Sequence, residues 1–226
     1  GTAASGLNLV KEATADASLR ESIRDPYSLC PDSEKVTDQL PPLIPVQYDP
    51  DFQAWVTPFV MADVNARVVL RSNFLLQSAY GSTFQYDEGI VTSDGPQGWL
   101  LAQALKLGLD SLVIAAALPP TRWLLETLFL PASGTGPTAE EQAQGFYQLQ
   151  FVGNTAKGEK MRVQVTGDRD PGYGSTAKIL GQAALCLAQD IPSSERGGFW
   201  TPAALLSEAL IKRLENSAGL AFTVLA

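Results

Sequence analysis

Residues 146–166 read FYQLQFVGNTAKGEKMRVQVT and carry the clearest structural signal in the chain. Apolar and polar side chains alternate before and after residues 153–158, a segment rich in turn-forming residues. Alternation with a period of two is typical of a strand that has one buried face and one wet face. The pattern therefore predicts a β-hairpin within an antiparallel or mixed sheet.

Helical patterns dominate the sequence on both sides of this hairpin. Apolar spacing and capping signals predict helices over residues 5–24 and 59–76, two within 99–130 divided at Pro119-Pro120, one over 175–188, and one from Thr201-Pro202 to about residue 219. Further strands are predicted over residues 83–91 and 220–225. Residues 30–58 form a Pro-rich connector. The prediction is a single α+β domain over residues 1–226, whose sheet is flanked by helices.

Composition excludes several classes of function. The net charge of −8 argues against nucleic acid as a partner, because phosphate binding needs clustered Lys and Arg. The chain has no His, the commonest general base and metal ligand, and only two Cys, Cys30 and Cys186. We therefore predict no metal site and no disulfide framework, and a cytoplasmic location.

The densest polar cluster lies in residues 167–178, between the hairpin and the next helix. Its glycines and the start of that helix, capped by Ser175, could approach and bind an anion, although an ordinary capped turn explains the same residues. Asp168 and Asp170 could act as an acid/base pair or belong to a salt-bridge network. No Walker motif and no GxGxxG motif occurs in the chain, so a complete dinucleotide site is not expected.

Two other patterns have both a chemical and a structural interpretation. Ser175 to Lys178 matches SxxK, the nucleophile motif of serine acyl-enzymes, but its companion motifs are absent. Arg67 and Arg71 could clamp a carboxylate or phosphate, or simply line a solvated helix face.

The apolar residues 99–130 predict helices buried in a core or an interface. An apolar binding tunnel or contact with a membrane surface is the alternative. No transmembrane segment is predicted, because Lys106, Asp110, two prolines and further charges interrupt the run.

Several pieces together resemble the saccharopine dehydrogenase-like oxidoreductases, including their trans-acting enoyl reductase branch. The matching pieces follow the family's order and span nearly the whole chain: Gly1-Thr2-Ala3-Ala4-Ser5, Phe59-Val60-Met61-Ala62 with Asn65 and Val68-Val69-Leu70-Arg71-Ser72, Asp170-Pro171-Gly172-Tyr173-Gly174 with Thr176-Ala177-Lys178, and Gly197-Gly198-Phe199-Trp200-Thr201-Pro202-Ala203.

The resemblance implies the non-Rossmann half of a two-domain oxidoreductase. An N-terminal Rossmann domain, absent from this sequence, would bind NAD or NADP, and this chain would shape the substrate pocket. The chain begins at Gly1 without a Met, which fits a fragment that is inactive alone. The apolar residues 99–130 suit a small lipid-like or polyketide-like substrate.

Within that resemblance, the candidate site residues are chosen by position. Tyr173 or Lys178 could donate a proton to a reduced double bond, while Asn65, Arg71 and Asp170 could bind the substrate. Thr201 could face the cofactor. Two alternatives remain, namely a non-catalytic module that binds lipid or a partner, and the SxxK acyl-enzyme. A homodimer is a further expectation, since exposed surface could drive self-association.

Overall fold

The computed structural model of the protein describes residues 2–31, 45–128, 135–192 and 197–225. These residues form helices and two small antiparallel sheets, which confirms the predicted α+β class. The chain divides into two compact units, residues 1–131 and residues 132–226.

The first unit contains five helices and three strands among its described residues. They are α1 (Thr2–Ala15), α2 (Ala17–Arg24), β1 (Gln47–Asp49), β2 (Ala54–Pro58), α3 (Ala62–Leu75), β3 (Gly89–Val91), α4 (Gly95–Ala117) and α5 (Pro119–Leu128). The described part of the second unit contains α6 (Ala139–Gln144), β4 (Tyr147–Asn154), β5 (Lys160–Gly167), α7 (Gly174–Gln189), α8 (Pro202–Leu205), α9 (Ser207–Ser217) and β6 (Leu220–Leu225).

The sequence-based boundaries differ from the structure at three places in the first unit. The helix predicted over 5–24 is two helices, because the Asp16 carboxylate accepts backbone N–H bonds and caps α2. The strand predicted over 83–91 is reduced to β3. Part of the predicted 30–58 connector forms β1 and β2, while residues 32–44 lie outside the described residues.

The central strand of the first sheet, β2, carries the buried residues Ala54, Val56 and Thr57. Helix α4 packs against β2 and α1. A glycine allows this approach, since a Cβ at Gly98 would lie 1.7 Å from the Ser93 carbonyl oxygen. The position of α4 on the sheet therefore depends on a residue without a side chain.

The second unit is built on the hairpin that the alternating sequence predicts. Strand β5 lies between β4 and β6, with Tyr147 opposite Gly167 and Val165 opposite Phe222. Helices α7 and α9 pack on the apolar face of this sheet. The buried core comprises Val165, Cys186, Leu206, Leu210, Leu214, Ala218 and Leu220.

Only one half of that apolar sheet face belongs to the core. Leu149, Phe151, Met161 and Val224 continue the same face beyond Val165, and all four are exposed.

Helix α4 is exposed along most of its length. By length and composition it could cross a membrane, and only 11% of its apolar window is buried. The charges that were expected to interrupt it, Lys106 and Asp110, pair with each other at 2.5 Å, one turn apart.

Candidate functional site

The loop between β5 and α7 is organised by one carboxylate, that of Asp170. It accepts backbone N–H bonds from Gly172 at 2.9 Å, Tyr173 at 3.2 Å and Gly174 at 2.6 Å. The Asp170 carbonyl oxygen accepts the Ser175 N–H at 2.9 Å. Hydrogen bonding, from Gly174 above all, lowers the pKa of Asp170, so this residue organises the turn that leads into α7 as an anion.

This geometry changes the interpretation of the loop. The sequence suggested that the helix start offers free N–H groups to an anion, but the first two of α7 are occupied. The Gly174 N–H binds the Asp170 carboxylate, and the Ser175 N–H binds the Asp170 carbonyl oxygen. The predicted cap, Ser175, lies inside the first turn of α7 instead. Asp170, predicted to bind substrate, has its carboxylate directed at its own backbone.

Ser175 and Tyr147 form a polar contact beneath the loop. Ser175 is fully buried, and its hydroxyl lies 2.9 Å from the Tyr147 hydroxyl. Gly167 is required opposite Tyr147, because a Cβ there would lie 2.2 Å from the Tyr147 ring. A serine buried in this way is inaccessible to a substrate, which argues against the SxxK acyl-enzyme.

Lys178 faces Asp168 rather than Ser175. Its ammonium lies 3.7 Å from the Asp168 carboxylate, and both side chains are partly exposed. Gly219 contacts the same carboxylate from the other side, since a Cβ there would lie 2.3 Å from it. Lys178 thus has an ionic partner at the rim of the loop.

Tyr173 is an exposed aromatic residue of the loop. Its side chain is 49% exposed, and its ring lies next to Gly136, where an added Cβ would be 3.5 Å away. Its backbone N–H is held by Asp170. Tyr173 therefore presents a phenol on an ordered backbone, close in sequence to Lys178.

Asn65 belongs to a separate polar cluster in the first unit. Its amide donates to one oxygen of Glu88 at 2.7 Å, and the Tyr86 hydroxyl donates to the other at 2.9 Å. Burial, and then the hydrogen bond to Glu88, raises the pKa of Tyr86 well above its usual value, so this phenol stays protonated.

The two arginines of α3 occupy different surroundings. The Arg67 guanidinium donates to the carbonyl oxygens of Ile23 and Asp25, at the end of α2. The Arg71 guanidinium lies over the Phe74 ring, 5.2 Å from its centre. Arg67 therefore joins two helices of the unit, whereas the predicted contact of Arg71 with a substrate stays a prediction.

Thr201 caps α8, as the sequence predicts. Its hydroxyl oxygen accepts the Ala204 N–H at 3.3 Å, and the residue is buried. Pro202 occupies the first turn. The hydroxyl that was expected to face a cofactor has this structural role.

The candidate residues thus form two sets, one in each unit. Asn65 and Arg71 lie in the first unit, and Asp170, Tyr173, Lys178 and Thr201 lie in the second. Sequence reasoning missed Glu88 and Tyr147, which bond residues 23 and 28 positions away. Their one sequence signal was an alternating pattern that placed them in strands.

The described residues do not fit a complete nucleotide site. Every strand pair among them is antiparallel, whereas a dinucleotide fold needs parallel strands joined through a helix. The first two N–H groups of α7, at a helix start that could bind phosphate, already bind Asp170.

Comparison with known proteins identifies relatives among mycobacterial proteins. No family profile matches the chain, and no solved structure matches it. A Mycobacterium tuberculosis protein named as a candidate trans-acting enoyl reductase is 33% identical over 227 residues, which cover 95% of this chain and 53% of the relative. The trans-acting enoyl reductase of Mycobacterium bovis is 32% identical over 237 residues, 96% of this chain and 54% of its own length.

A third relative shows the same relation. The trans-acting enoyl reductase of Mycobacterium leprae is 33% identical over 211 residues, covering 86% of this chain and 49% of its own length. The chain spans about half the length of the curated relatives it matches. Over most of its residues, this chain is therefore homologous to one part of the proteins named trans-acting enoyl reductases.

Proposed function

We propose that this chain is the substrate-side part of an enoyl reductase of the saccharopine dehydrogenase-like type. The observation that carries the proposal is the homology over 95% of the chain to proteins named for that activity. The described residues lack a nucleotide site, so NAD or NADP would bind to a Rossmann domain outside this chain, and the chain alone would be inactive.

Reduction of an enoyl group requires a proton at the carbon next to the carbonyl, besides the hydride that a nicotinamide supplies when bound. Tyr173 is the proposed proton donor, because its phenol is exposed while its backbone is held by Asp170. Lys178, paired with Asp168 at 3.7 Å, would keep a positive charge near the developing enolate.

The first unit would contribute recognition of the substrate. Asn65 and Tyr86 share the Glu88 carboxylate, which holds the Asn65 amide in one orientation. Arg71 carries a charge at the surface of α3 that suits a carboxylate or thioester oxygen. The apolar composition of residues 99–130 suits a lipid-like or polyketide-like substrate.

The test is turnover by the full-length protein with long-chain 2-enoyl thioesters, followed by the loss of NADH or NADPH absorbance. The Tyr173→Phe variant should lower kcat about 100-fold with little change in KM, because it removes a proton donor and keeps the ring. Tyr80→Phe, an exposed phenol of the first unit, is the control and should match the wild type.

Two outcomes would count against this assignment. If the full-length protein oxidises neither nucleotide with any enoyl thioester, the reductase proposal fails. If Tyr173→Phe and Lys178→Ala both retain full kcat, the reaction stands but the two residues do not take part in it.

A non-catalytic module that binds lipid or a partner is the second candidate. The observation that favours it is the row of exposed apolar side chains on α4 and α5. Lipid that co-purifies with a full-length protein unable to oxidise NADH or NADPH would support it. Sedimentation of that protein would also show whether a homodimer forms.

A further inference from the structure

Helix α4 exposes large apolar side chains on the side that faces away from its own unit. Its buried residues Gly98 and Ala116 lie 18 positions, or about five turns, apart and share one face. Leu107 lies nine positions from both, about two and a half turns, and so points the opposite way. Leu100, Leu107 and Ile114 repeat every seven positions on that outer face and are 61–68% exposed.

The flanks of α4 are apolar as well. Trp99, Leu101 and Val113 are exposed on these flanks, and Leu105 and Leu112 are exposed although they lie near the face that carries Gly98. By length and composition α4 is apolar enough to enter a membrane, and only 11% of its apolar window is buried. Its composition and exposure therefore suit contact with lipid.

The charges of the chain also select the kind of lipid. Lys106 and Asp110 are the charged residues of α4, and they pair at 2.5 Å. The helix therefore presents no uncompensated charge to an apolar layer. Helices α4 and α5 carry no cluster of Lys or Arg of the kind that attracts anionic headgroups, so electrically neutral lipids are the complementary surface.

Helix α5 extends the same apolar surface. It adds Trp123 and Leu124, and Leu118 lies at the junction with α4; all three are exposed. Tryptophan is favoured where an apolar layer meets water, and Trp99 and Trp123 lie near the start of α4 and within α5. Helix α4 has 23 residues and is about 34 Å long, so the surface is extended.

We propose that α4 and α5 form a docking surface for a neutral lipid layer, which holds the full-length protein at a membrane. The buried stripe of α4 stays packed on β2 and α1, so the helix lies along the layer with Leu100, Leu107 and Ile114 inserted. This inference does not depend on the proposed reductase activity.

The first test is flotation of the full-length protein with phosphatidylcholine vesicles. We expect the wild type to float, and the double variant L107E/I114E to reduce the floating fraction at least about tenfold. Both positions are exposed, so folding should persist. The variant L107A/I114A gives a milder comparison, with an intermediate loss expected.

The matched control adds the same two charges elsewhere. Gln150→Glu with Thr223→Glu places them on the polar face of the second sheet, and this variant should float like the wild type. A wild type that stays in the buffer, or L107E/I114E floating as the wild type does, would overturn the proposal.

A second measurement separates lipid from coverage by the rest of the protein. In a Cys30→Ser background, Leu107→Cys should react with a polar maleimide in the folded, lipid-free protein, and vesicles should slow the reaction about tenfold. If Cys at this position is already protected without vesicles, the surface is an internal interface and the lipid proposal is wrong.

Discussion

Gly219 shows how a single residue shapes the rim of the candidate site. Its φ of +75° lies in the left-handed region, and a Cβ would approach the Asp168 carboxylate to 2.3 Å. Gly219→Ala should therefore lower the free energy of unfolding by about 1–3 kcal/mol, since both the backbone conformation and the contact are penalised. Urea titration followed by circular dichroism measures this change.

Gly181 provides the matched control, because it lies in α7 with nothing within 4 Å of an added Cβ. Gly181→Ala should leave stability unchanged or raise it by about 0.5–1 kcal/mol. Equal effects of the two substitutions would contradict the proposed role of Gly219.

The Asp170 carboxylate should make stability depend on acid pH. Its pKa is lowered in the folded protein from an ordinary value of 3.8, so its contribution is complete above that value and is lost as the pH falls through the folded pKa. The difference in unfolding free energy between the wild type and Asp170→Asn should therefore be largest near pH 6 and shrink below pH 3.8. Urea titrations across this range measure it.

A pH-independent difference would mean that the shape of the Asp170 side chain, and not its charge, organises the loop. The analogous acidic cap Asp16, whose pKa is also lowered by hydrogen bonds, gives a reference in the first unit. Asp16→Asn should show a difference with the same sign.

At the scale of elements, helix starts are set by local side chains, and Thr201 is the case to test. Thr201→Ala should lower the free energy of unfolding by about 1 kcal/mol, because the Ala204 N–H loses its acceptor. Thr201→Ser should restore most of that loss. Thermal melts of these variants, with the exposed Thr223→Ala as control, would check it.

The Thr201→Ala variant also distinguishes a helix cap from a residue that contacts the cofactor. As a cap, Thr201→Ala should keep the KM for NADH or NADPH in the full-length protein. An increased KM for NADH or NADPH with unchanged stability would instead support the cofactor contact that the sequence suggested for Thr201.

Elements with a short-range signal were predictable from the sequence. Alternation over residues 146–166 predicted β4 and β5, and Thr201-Pro202 predicted the start of α8.

Strand β2 was missed because its five residues follow a Pro-rich run and have no alternation to reveal them. Apolar spacing over residues 59–76 predicted a helix there, yet Val64 and Val68 of α3 are exposed while Leu70 is buried. The spacing of apolar residues identifies one face of a helix, but it does not show whether another element covers that face.

At the scale of the whole molecule, the candidate site depends on contacts between distant residues. The Asn65–Glu88 and Tyr147–Ser175 bonds join positions 23 and 28 apart. Nothing in the local pattern predicts which residue meets which across such a distance in sequence. The sequence could therefore identify the loop 167–178 as a candidate, but not that its amides are already bound by Asp170.

That internal bonding has a consequence for how fast a ligand could be captured. A loop whose amides are free often orders only when a ligand arrives, and the lost conformational entropy then weakens binding. Here Asp170 already holds three backbone N–H groups, so the segment around Tyr173 is ordered in advance. Association at this loop should be limited by diffusion and access, with no slow rearrangement step before binding.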